Sequence, residues 1–175
     1  MDVSPGHPGL NDVPVAAEKT QPTIRPIAPD DATEIIAMSR EFADYLRSLG
    51  DKAPLNFDAK AFREGGFGPK RAFDGIIAHV SRRPAGYLLF HFGYDVDRSL
   101  RLLYIIDLWV RENARRHGVG RALMAEAARI AREFDAGELV WNVYDPNRLA
   151  FNFYESFGAE RIRDLTWMCI PVVKL

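Results

Sequence analysis

The sequence is poor in cysteine, in net charge and in long apolar segments, and each shortage excludes a class of protein. Its 175 residues contain one cysteine, Cys169, so an internal disulfide is excluded and a reducing compartment is expected. The histidines and this cysteine do not stand at metal-ligand spacing, and we therefore predict no metal site. A net charge of −1 gives no general attraction for nucleic acid, so we expect no nucleic-acid partner.

A membrane-spanning segment and an N-terminal leader are missing as well. No run approaches the roughly 20 apolar residues that a membrane span requires, and the first residues lack a basic stretch followed by an apolar one. We therefore expect a cytoplasmic protein with no membrane partner. Residues 1–21 are rich in proline and glycine and predict a flexible tail, whereas residues 22–175 are expected to form one folded domain.

What the sequence does contain is a basic turn with glycines, placed between a long apolar run and a helix pattern. The turn reads Arg115-Arg116-His117-Gly118-Val119-Gly120-Arg121. A helix start leaves backbone N–H groups without intrahelical partners and carries partial positive charge, and glycines let a phosphate approach the backbone closely. Six arginines stand against two acids between residues 111 and 132. The segment therefore predicts a diphosphate site.

Hydrophobic periodicity predicts the elements around this turn. Strands are predicted over residues 23–25, 73–80, 86–94, 100–110 and 139–143, with one or two final strands within 160–171, and helices over 29–49, 58–62, 119–134 and 149–157. The Gly65-Gly66 pair and Gly137 are expected to end helices. The predicted fold class is α/β: a single domain with a mixed central sheet in the order β-α-α-β-β-β-α-β-α-β and helices on both faces.

Two blocks of residues resemble the GNAT superfamily of acetyl-CoA-dependent N-acetyltransferases. The matching residues are Arg115, Gly118 and Gly120 in the turn, the strand end Asp107-Leu108-Trp109-Val110 before it, and Asp145, Asn147 and the run Asn152-Phe153-Tyr154 after it. The turn fits the family pattern Arg/Gln-x-x-Gly-x-Gly/Ala, and the later block is similar to the family's second cofactor segment. The resemblance spans residues 23–170 and implies the GNAT fold.

Within this superfamily the sequence most resembles the diamine and thialysine acetyltransferase branch. Glu64-Gly65-Gly66-Phe67-Gly68 and Tyr94-Asp95 add to the two blocks in supporting this narrower likeness. The resemblance implies transfer of an acetyl group from acetyl-CoA to a primary amine of a small polyamine-like or amino-acid-like molecule, by direct attack. Two alternatives remain open: an acyl-CoA-binding sensor or scaffold without turnover, and an acetyltransferase that acts on a protein N-terminus or lysine.

The resemblance also implies roles on the coenzyme side. Backbone groups of Leu108 and Val110 would bind the pantetheine arm, and the N–H of Leu108 would stabilise the thioester oxyanion. Tyr154 would act as general acid towards the departing thiolate. Asn147 would contact the coenzyme, cap a helix, or do both. The implied coenzyme-binding residues are Leu108, Trp109, Val110, Arg115, Arg116, His117, Gly118, Val119, Gly120, Arg121, Asn147 and Tyr154.

The acceptor side departs from the branch at the position of the general base. The branch carries a glutamate followed by an aspartate, whereas this sequence has Ile106 and Asp107. Asp107 is therefore expected to replace the missing acid as catalytic base or ammonium-binding group, because a carboxylate in an apolar strand can have a raised pKa. Asp95 and the loop around Phe67 are expected to complete the acceptor pocket. The resemblance further implies a homodimer, with an interface near Thr166 to Val172.

Overall fold

The computed structural model describes residues 21–163 and 166–174, which fold around one sheet of five strands. The strands are β1 Thr23–Pro26, β2 Asp74–Val80, β3 Arg83–Asp95, β4 Leu100–Val110 and β5 Ala136–Trp141, and the helices are α1 Ala32–Ser48, α2 Ala59–Phe67, α3 Val119–Glu133 and α4 Arg148–Glu155. The tail predicted for residues 1–21 falls almost wholly outside the described residues and stays a prediction. Among the described helices, none is long and apolar enough to cross a bilayer.

The strands lie in the sheet in the order in which they follow along the chain. β1 to β4 pair antiparallel, and β5 lies parallel beside β4 because α3 returns the chain between them. Ser81 and Arg82 join β2 to β3 with φ angles of 49° and 64°. Two successive positive φ angles are typical of the tight hairpin turn whose twist matches that of its strands. The predicted hairpin is therefore confirmed.

Each face of the sheet is covered by its own hydrophobic core. The core beneath α1 and α2 contains Ala32, Ile35, Ile36, Met38, Phe62, Ile77, Tyr87, Leu89 and Trp109. The core beneath α3 contains Ile76, Ala78, Ala85, Leu88, Phe90, Leu103, Ile105, Val119, Leu123, Met124, Ala127, Ala131 and Ala136. Neighbours such as Ile76 and Ile77 belong to opposite cores, as the alternation of a strand requires. We call these the α1 face and the α3 face. The predicted mixed α/β sheet with helices on both faces is confirmed.

β4 carries a bulge at Ile106. Leu89 of β3 pairs with Asp107, but the next residue of β3 pairs with Ile105, so Ile106 has no partner on β3. One extra residue reverses the alternation of side chains beyond it. Ile105 accordingly packs into the core of the α3 face, whereas Trp109, an even number of residues later, packs into the core of the α1 face. The bulge therefore turns Asp107 towards the α1 face.

β4 and β5 separate beyond Ile105. Their last paired residues are Ile105 and Trp141, whereas β4 continues to Val110 beside β3. The N–H of Arg111 donates to a carbonyl of β3 at 2.9 Å. Because backbone groups alternate in direction along a strand, those of Leu108 and Val110 point to the opposite, open side. β4 thus has a free edge at its C-terminal end.

Two predicted helix ends are wrong. The Gly65-Gly66 pair lies inside α2, where the ring of Phe73 packs so closely that a Cβ on Gly65 would lie 2.5 Å from Phe73 Cε1. These glycines therefore permit close packing and do not end the helix. At the end of α3, Asp135 takes the left-handed conformation with a φ of 53°. Gly137, which we expected in that position, lies within β5.

The final strand predicted within residues 160–171 is also wrong for the described part of that segment, which forms no strand. Its large apolar side chains bury little surface, since Trp167 and Met168 are 73% and 91% exposed. A strand is stable when its backbone pairs with a neighbour and one of its faces is buried. Within the described residues, this segment meets neither condition and the outer edge of β5 has no strand beside it.

Candidate active site

A cavity of about 990 Å³ opens where β4 and β5 separate. Four parts of the chain form its walls: α1, the free end of β4, the turn into α3, and the segment from β5 into α4. The lining residues include Phe42, Tyr45, Leu46, Ile106, Asp107, Leu108, Trp109, Val110, Arg115, Arg116, Gly118, Val119, Gly120, Arg121, Trp141, Asn147, Phe153 and Tyr154. The fold therefore brings both sequence blocks together in one cavity.

The turn before α3 supplies backbone N–H groups to this cavity. Gly118 is the N-cap of α3 and has a φ of 81°, which glycine adopts without strain. The first N–H that bonds back to this residue belongs to Ala122, at 2.9 Å from the Gly118 carbonyl oxygen. The N–H groups before it have no intrahelical acceptor, and they are those of Val119, Gly120 and Arg121. Such a group of donors at the positive end of a helix dipole suits a phosphate.

We call the N–H groups of Val119, Gly120 and Arg121 the N–H cradle. Gly120 contributes to this cradle and also to the packing of α4. A Cβ at this position would lie 3.1 Å from Cζ of Phe153, which is closer than side chains ordinarily pack. The missing side chain therefore lets α4 close against the first turn of α3. The sequence analysis assigned this glycine to the approach of a phosphate only.

The three arginines of the turn point in different directions. Arg116 is exposed at the cavity, and Arg121 lies over an aromatic ring that follows α4, with its guanidinium carbon 4.5 Å from the ring centre. Arg115 instead folds back along β4. Its Nε donates to the carbonyl oxygen of Val110 at 3.1 Å, and its guanidinium carbon lies 4.6 Å from the ring centre of Trp109. Two arginines thus remain beside the N–H cradle, while the third lies on the α1 face.

Asp107 is half-buried beside the hydroxyl of Tyr87. The Tyr87 hydroxyl donates to Asp107 Oδ2 at 2.5 Å, and Tyr87 itself is fully buried in the core of the α1 face. Burial raises the pKa of Asp107 to about 6, although hydrogen bonds from Tyr87 and from the N–H of Leu108 oppose the rise. A carboxylate with this pKa is ionised at neutral pH and remains basic enough to accept a proton.

Tyr154 approaches the same carboxylate from α4. Its ring centre lies 4.6 Å from that of Trp141 at the end of β5. Burial and, secondly, the charge of Asp107 raise the pKa of the Tyr154 phenol, so the phenol keeps its proton at neutral pH. The cavity therefore contains one group that can accept a proton and one that can donate a proton.

Asn147 both caps α4 and joins two walls of the cavity. Its Oδ1 accepts from the N–H of Ala150 at 3.1 Å, which is the cap that we considered from the sequence. The same oxygen accepts from the hydroxyl of Tyr45 on α1 at 2.9 Å. This second bond closes one side of the cavity by linking α1 to α4.

Three predicted site residues lie outside the cavity lining. Asp95 ends β3 opposite the first residue of β4, seven residues before Asp107, which is roughly 23 Å along a strand. Its carboxylate accepts from the backbone N–H and the Nε of Arg98 at 3.0 and 2.7 Å, and these bonds lower its pKa. Phe67 packs on an aromatic ring of α2, 5.6 Å away. His117 Nδ1 lies 2.7 Å from the carbonyl oxygen two residues before it.

Tyr87 is the functional residue that the sequence analysis missed. In the sequence it is one apolar position among many in β3, and its contact with Asp107 depends on the register of two strands. The bulge at Ile106 was missed for the same reason. Ile106 lines the cavity and is 46% exposed, an unusual position for isoleucine in a strand that is otherwise apolar. An acid in an apolar strand, opposite a strand that carries a tyrosine, was the one available signal.

The segment that contains these site residues also identifies the family. Residues 37–159 match the model of the acetyltransferase (GNAT) family. The chain belongs to this family. A thialysine N-epsilon-acetyltransferase from Caenorhabditis elegans is 30% identical to this GNAT chain over 130 residues, which cover 74% of the chain and 78% of that protein. An L-ornithine N5-acetyltransferase from Arabidopsis thaliana is 36% identical over 80 residues, which cover 46% of the chain and 35% of that protein.

The fold agrees with this assignment. A solved ribosomal-protein-alanine N-acetyltransferase from Brucella melitensis biovar Abortus 2308 superposes with a TM-score of 0.69 at 21% identity, covering 86% of this GNAT chain and 99% of that one. At this identity the likeness is one of fold alone. The predicted membership of the GNAT superfamily and the likeness to its thialysine branch are confirmed, and the chain is an N-acetyltransferase.

The first prediction concerns the cost of ionising Asp107. Its pKa is about 6 in the folded state, against about 3.9 in an unfolded chain, so the folded protein holds the proton more tightly and loses stability as the pH rises through this window. Asp107→Asn removes this loss. We expect the variant to be more stable than the wild type by about 3 kcal/mol at pH 8 and by roughly half as much at pH 5, measured by urea unfolding.

The control for this measurement is Asp95→Asn. The pKa of Asp95 is lowered, so the charge of this group favours the folded state and its removal should act in the opposite direction. An equal stability change at both pH values in Asp107→Asn would contradict the account of the buried carboxylate.

The second prediction concerns Tyr87. Tyr87→Phe keeps the buried ring and removes the hydroxyl that donates to Asp107. A hydrogen bond to a charged group contributes about 1.5–3 kcal/mol, so the pKa of Asp107 should rise by about one to two units. Carboxyl carbon NMR titration measures this pKa directly. The control is Tyr104→Phe, which removes a hydroxyl from β4 and should leave the pKa of Asp107 unchanged. The same titration midpoint in Tyr87→Phe and in the wild type would refute the assignment.

Proposed function

We propose that this GNAT enzyme transfers the acetyl group of acetyl-CoA to a primary amine at the end of a small acceptor molecule. The observation that carries the proposal is the pairing of Asp107, a carboxylate with a pKa near 6, with the protonated phenol of Tyr154 beside the free edge of β4. The relatives add support, since they are named for the N-epsilon of thialysine and the N5 of L-ornithine. Both names denote an amine on the side chain of an amino acid.

The cavity offers places for the diphosphate and for the pantetheine arm of the coenzyme. The N–H groups of residues 119–121, with the side chains of Arg116 and Arg121, would hold the diphosphate. The free edge of β4 would hold the pantetheine arm, which carries amide groups that can pair like a strand. The carbonyl oxygen of Val110 already accepts from Arg115 Nε. On this residue the N–H is therefore the group that remains for the coenzyme.

The chemistry follows from the two titrating groups. Asp107 takes a proton from the acceptor, and the free amine nitrogen attacks the thioester carbon. The N–H of Leu108 stabilises the oxyanion that develops on the thioester oxygen. The Asp107 carboxylate also accepts from this N–H and therefore competes with the oxyanion for it. The carbon–sulfur bond breaks as the carbon–nitrogen bond becomes an amide. Tyr154 gives its proton to the sulfur and is reprotonated by the proton that the nitrogen loses, so an ammonium and a thioester yield an amide, a thiol and one proton.

The alternative of a sensor or scaffold without turnover depended on the absence of an acid at Ile106. Asp107 lies at the cavity wall on the α1 face, where its carboxylate could replace the missing acid as the catalytic base, and this position supports an enzyme that turns over. A protein N-terminus or a protein lysine as acceptor gains no support from the described residues. The small acceptor therefore stays the proposal.

We also propose a homodimer formed through the C-terminal segment. Trp167, Met168 and Val173 expose most of their apolar surface in the single chain, and Val173 is 94% exposed. Exposed apolar patches of this kind mark interaction sites on soluble proteins. The outer edge of β5 offers unpaired backbone groups in the described structure, and a second copy of this segment could pair with them.

The third prediction tests the diphosphate cradle. Arg116→Glu reverses a charge at the cavity without altering the core, since Arg116 is exposed. We expect the affinity for acetyl-CoA to fall by at least tenfold, because each charge-assisted contact to phosphate contributes about 1.5–3 kcal/mol. Calorimetric titration measures the affinity. The matched control is Arg132→Glu at the far end of α3, which should bind acetyl-CoA as the wild type does. Equal affinities of the two variants for acetyl-CoA would contradict the assignment of the diphosphate site.

The fourth prediction tests the reaction. Wild-type enzyme should release thiol from acetyl-CoA with at least one of thialysine, lysine, ornithine or a polyamine, and Tyr154→Phe should lower kcat by about a hundredfold or more. The affinity of Tyr154→Phe for acetyl-CoA should stay within a factor of about two, because the ring that packs on Trp141 is retained. Turnover of none of these amines would contradict the proposed function, and an unchanged kcat in Tyr154→Phe would exclude it as the acid.

A further inference from the structure

We infer that Arg115 binds a carboxylate group of the acceptor and thereby selects amino acids that carry a side-chain amine over diamines of the same length. The inference rests on the proposed function and deepens it, since it names the part of the acceptor that lies away from the reacting nitrogen. It departs from the sequence analysis, which placed Arg115 with the diphosphate.

The first observation is the side of the sheet on which the guanidinium lies. Asp107 and Trp109 are two residues apart beyond the bulge, so both face the α1 side. The guanidinium carbon of Arg115 lies 4.6 Å from the ring centre of Trp109 and 5.5 Å from that of Tyr45 on α1. The N–H cradle, in contrast, belongs to the first turn of α3, and Val119 there packs into the core of the α3 face. Arg115 is therefore the arginine of this turn whose guanidinium contacts side chains of the α1 face.

The second observation is that the guanidinium is held in place with its outer nitrogens available. Nε donates to Val110, and two aromatic rings fix the plane of the group. Within the described parts of the chain, neither Nη1 nor Nη2 has a hydrogen-bonding partner or an acid within ion-pair distance, although Arg115 lines the cavity and is half-buried. A fixed guanidinium with two such NH₂ groups matches the two oxygens of a carboxylate.

The third observation is the distribution of charge between Asp107 and Arg115. Two residues of a strand span roughly 6.6 Å, so Asp107 lies about this far along β4 from Trp109, over whose ring the Arg115 guanidinium lies. The cavity lining on the α1 side includes Phe42, Leu46 and Trp109, which are aromatic or apolar. An acceptor with an ammonium at one end, an aliphatic middle and a carboxylate at the other end complements this wall. A diamine would bring its second ammonium against Arg115.

The test compares acceptors that differ only in the carboxylate: lysine with 1,5-diaminopentane, and ornithine with 1,4-diaminobutane. Wild-type enzyme should have the higher kcat/KM for each amino acid. Arg115→Gln should lower kcat/KM for lysine by about tenfold to a hundredfold, mainly through KM, because a bidentate charged contact is lost. The kcat/KM for 1,5-diaminopentane should not fall, and the affinity for acetyl-CoA should not change. Arg115→Lys should recover only part of the preference, since an ammonium lacks the planar fork.

Arg116→Gln is the matched contrast, because it removes a guanidinium from the cradle side. It should weaken acetyl-CoA binding and leave the ratio of lysine to 1,5-diaminopentane unchanged. If Arg115→Gln instead weakens acetyl-CoA binding and leaves that ratio unchanged, the anionic partner of Arg115 is the diphosphate and the inference is overturned. A wild-type enzyme that prefers 1,5-diaminopentane to lysine overturns it as well.

Direct binding separates this inference from the proposed function. Lysine is titrated calorimetrically into the complex of the enzyme with desulfo-coenzyme A, which cannot react, for wild type and for Arg115→Gln of matched thermal stability. Binding that is lost in Arg115→Gln supports the carboxylate site even if no amine is turned over. Equal lysine binding by both proteins overturns the site even if acetylation is observed.

Discussion

Backbone pairing between β4 and β5 stops at Ile105 and Trp141, and the geometry of the site depends on this interruption. An unpaired strand edge inside a protein leaves N–H and C=O groups that are costly unless a partner satisfies them. The helix that returns the chain to β5 begins at the same opening, so its own unpaired N–H groups face the same cavity. One topological feature, a parallel strand that diverges, thus creates both an open strand edge and, beside it, a group of helix N–H donors without intrahelical acceptors.

Holding the Asp107 carboxylate beside the Tyr154 phenol costs stability, and the proposed function gives a reason for that cost. Asp107 is half-buried on the α1 face, where an ionised carboxylate is unfavourable, and hydrogen bonds from Tyr87 and from the N–H of Leu108 limit the rise of its pKa to about 6. Apolar residues of similar size would stabilise this part of the sheet better. Burial and the charge of Asp107 raise the pKa of the Tyr154 phenol, which is protonated at neutral pH even at its ordinary pKa. At neutral pH the carboxylate can therefore accept a proton and the phenol can donate one, because their ordinary pKa values differ while burial shifts both pKa values upwards.

The sequence allowed the α/β fold, the position of the turn and the meeting of two distant blocks to be predicted, because these depend on periodicity and on helix-start chemistry. It did not allow the direction of individual side chains to be predicted. Arg115 and Arg116 are neighbours in the sequence, yet a backbone carbonyl and an aromatic ring draw the first of them to the other side of β4. Asp95 was grouped with Asp107 by resemblance, but strand register places it far along the sheet beside Arg98. Register and bulges arise from packing between strands, which no local pattern records.

Because of the bulge at Ile106, a change in the number of residues in β4 has a larger effect on the site than a change of side chain at this position. Exchanging the side chain at this position alters one patch of cavity wall. Removing the residue would restore strict alternation, and every residue from Asp107 to Val110 would then face the opposite side of the sheet. The carboxylate would enter the apolar core beneath α3, and the ring of Trp109 would leave α1. A deletion here would change the facing of every later residue of β4. Relatives of this chain should therefore vary in the residue at position 106 far more readily than in the length of this strand.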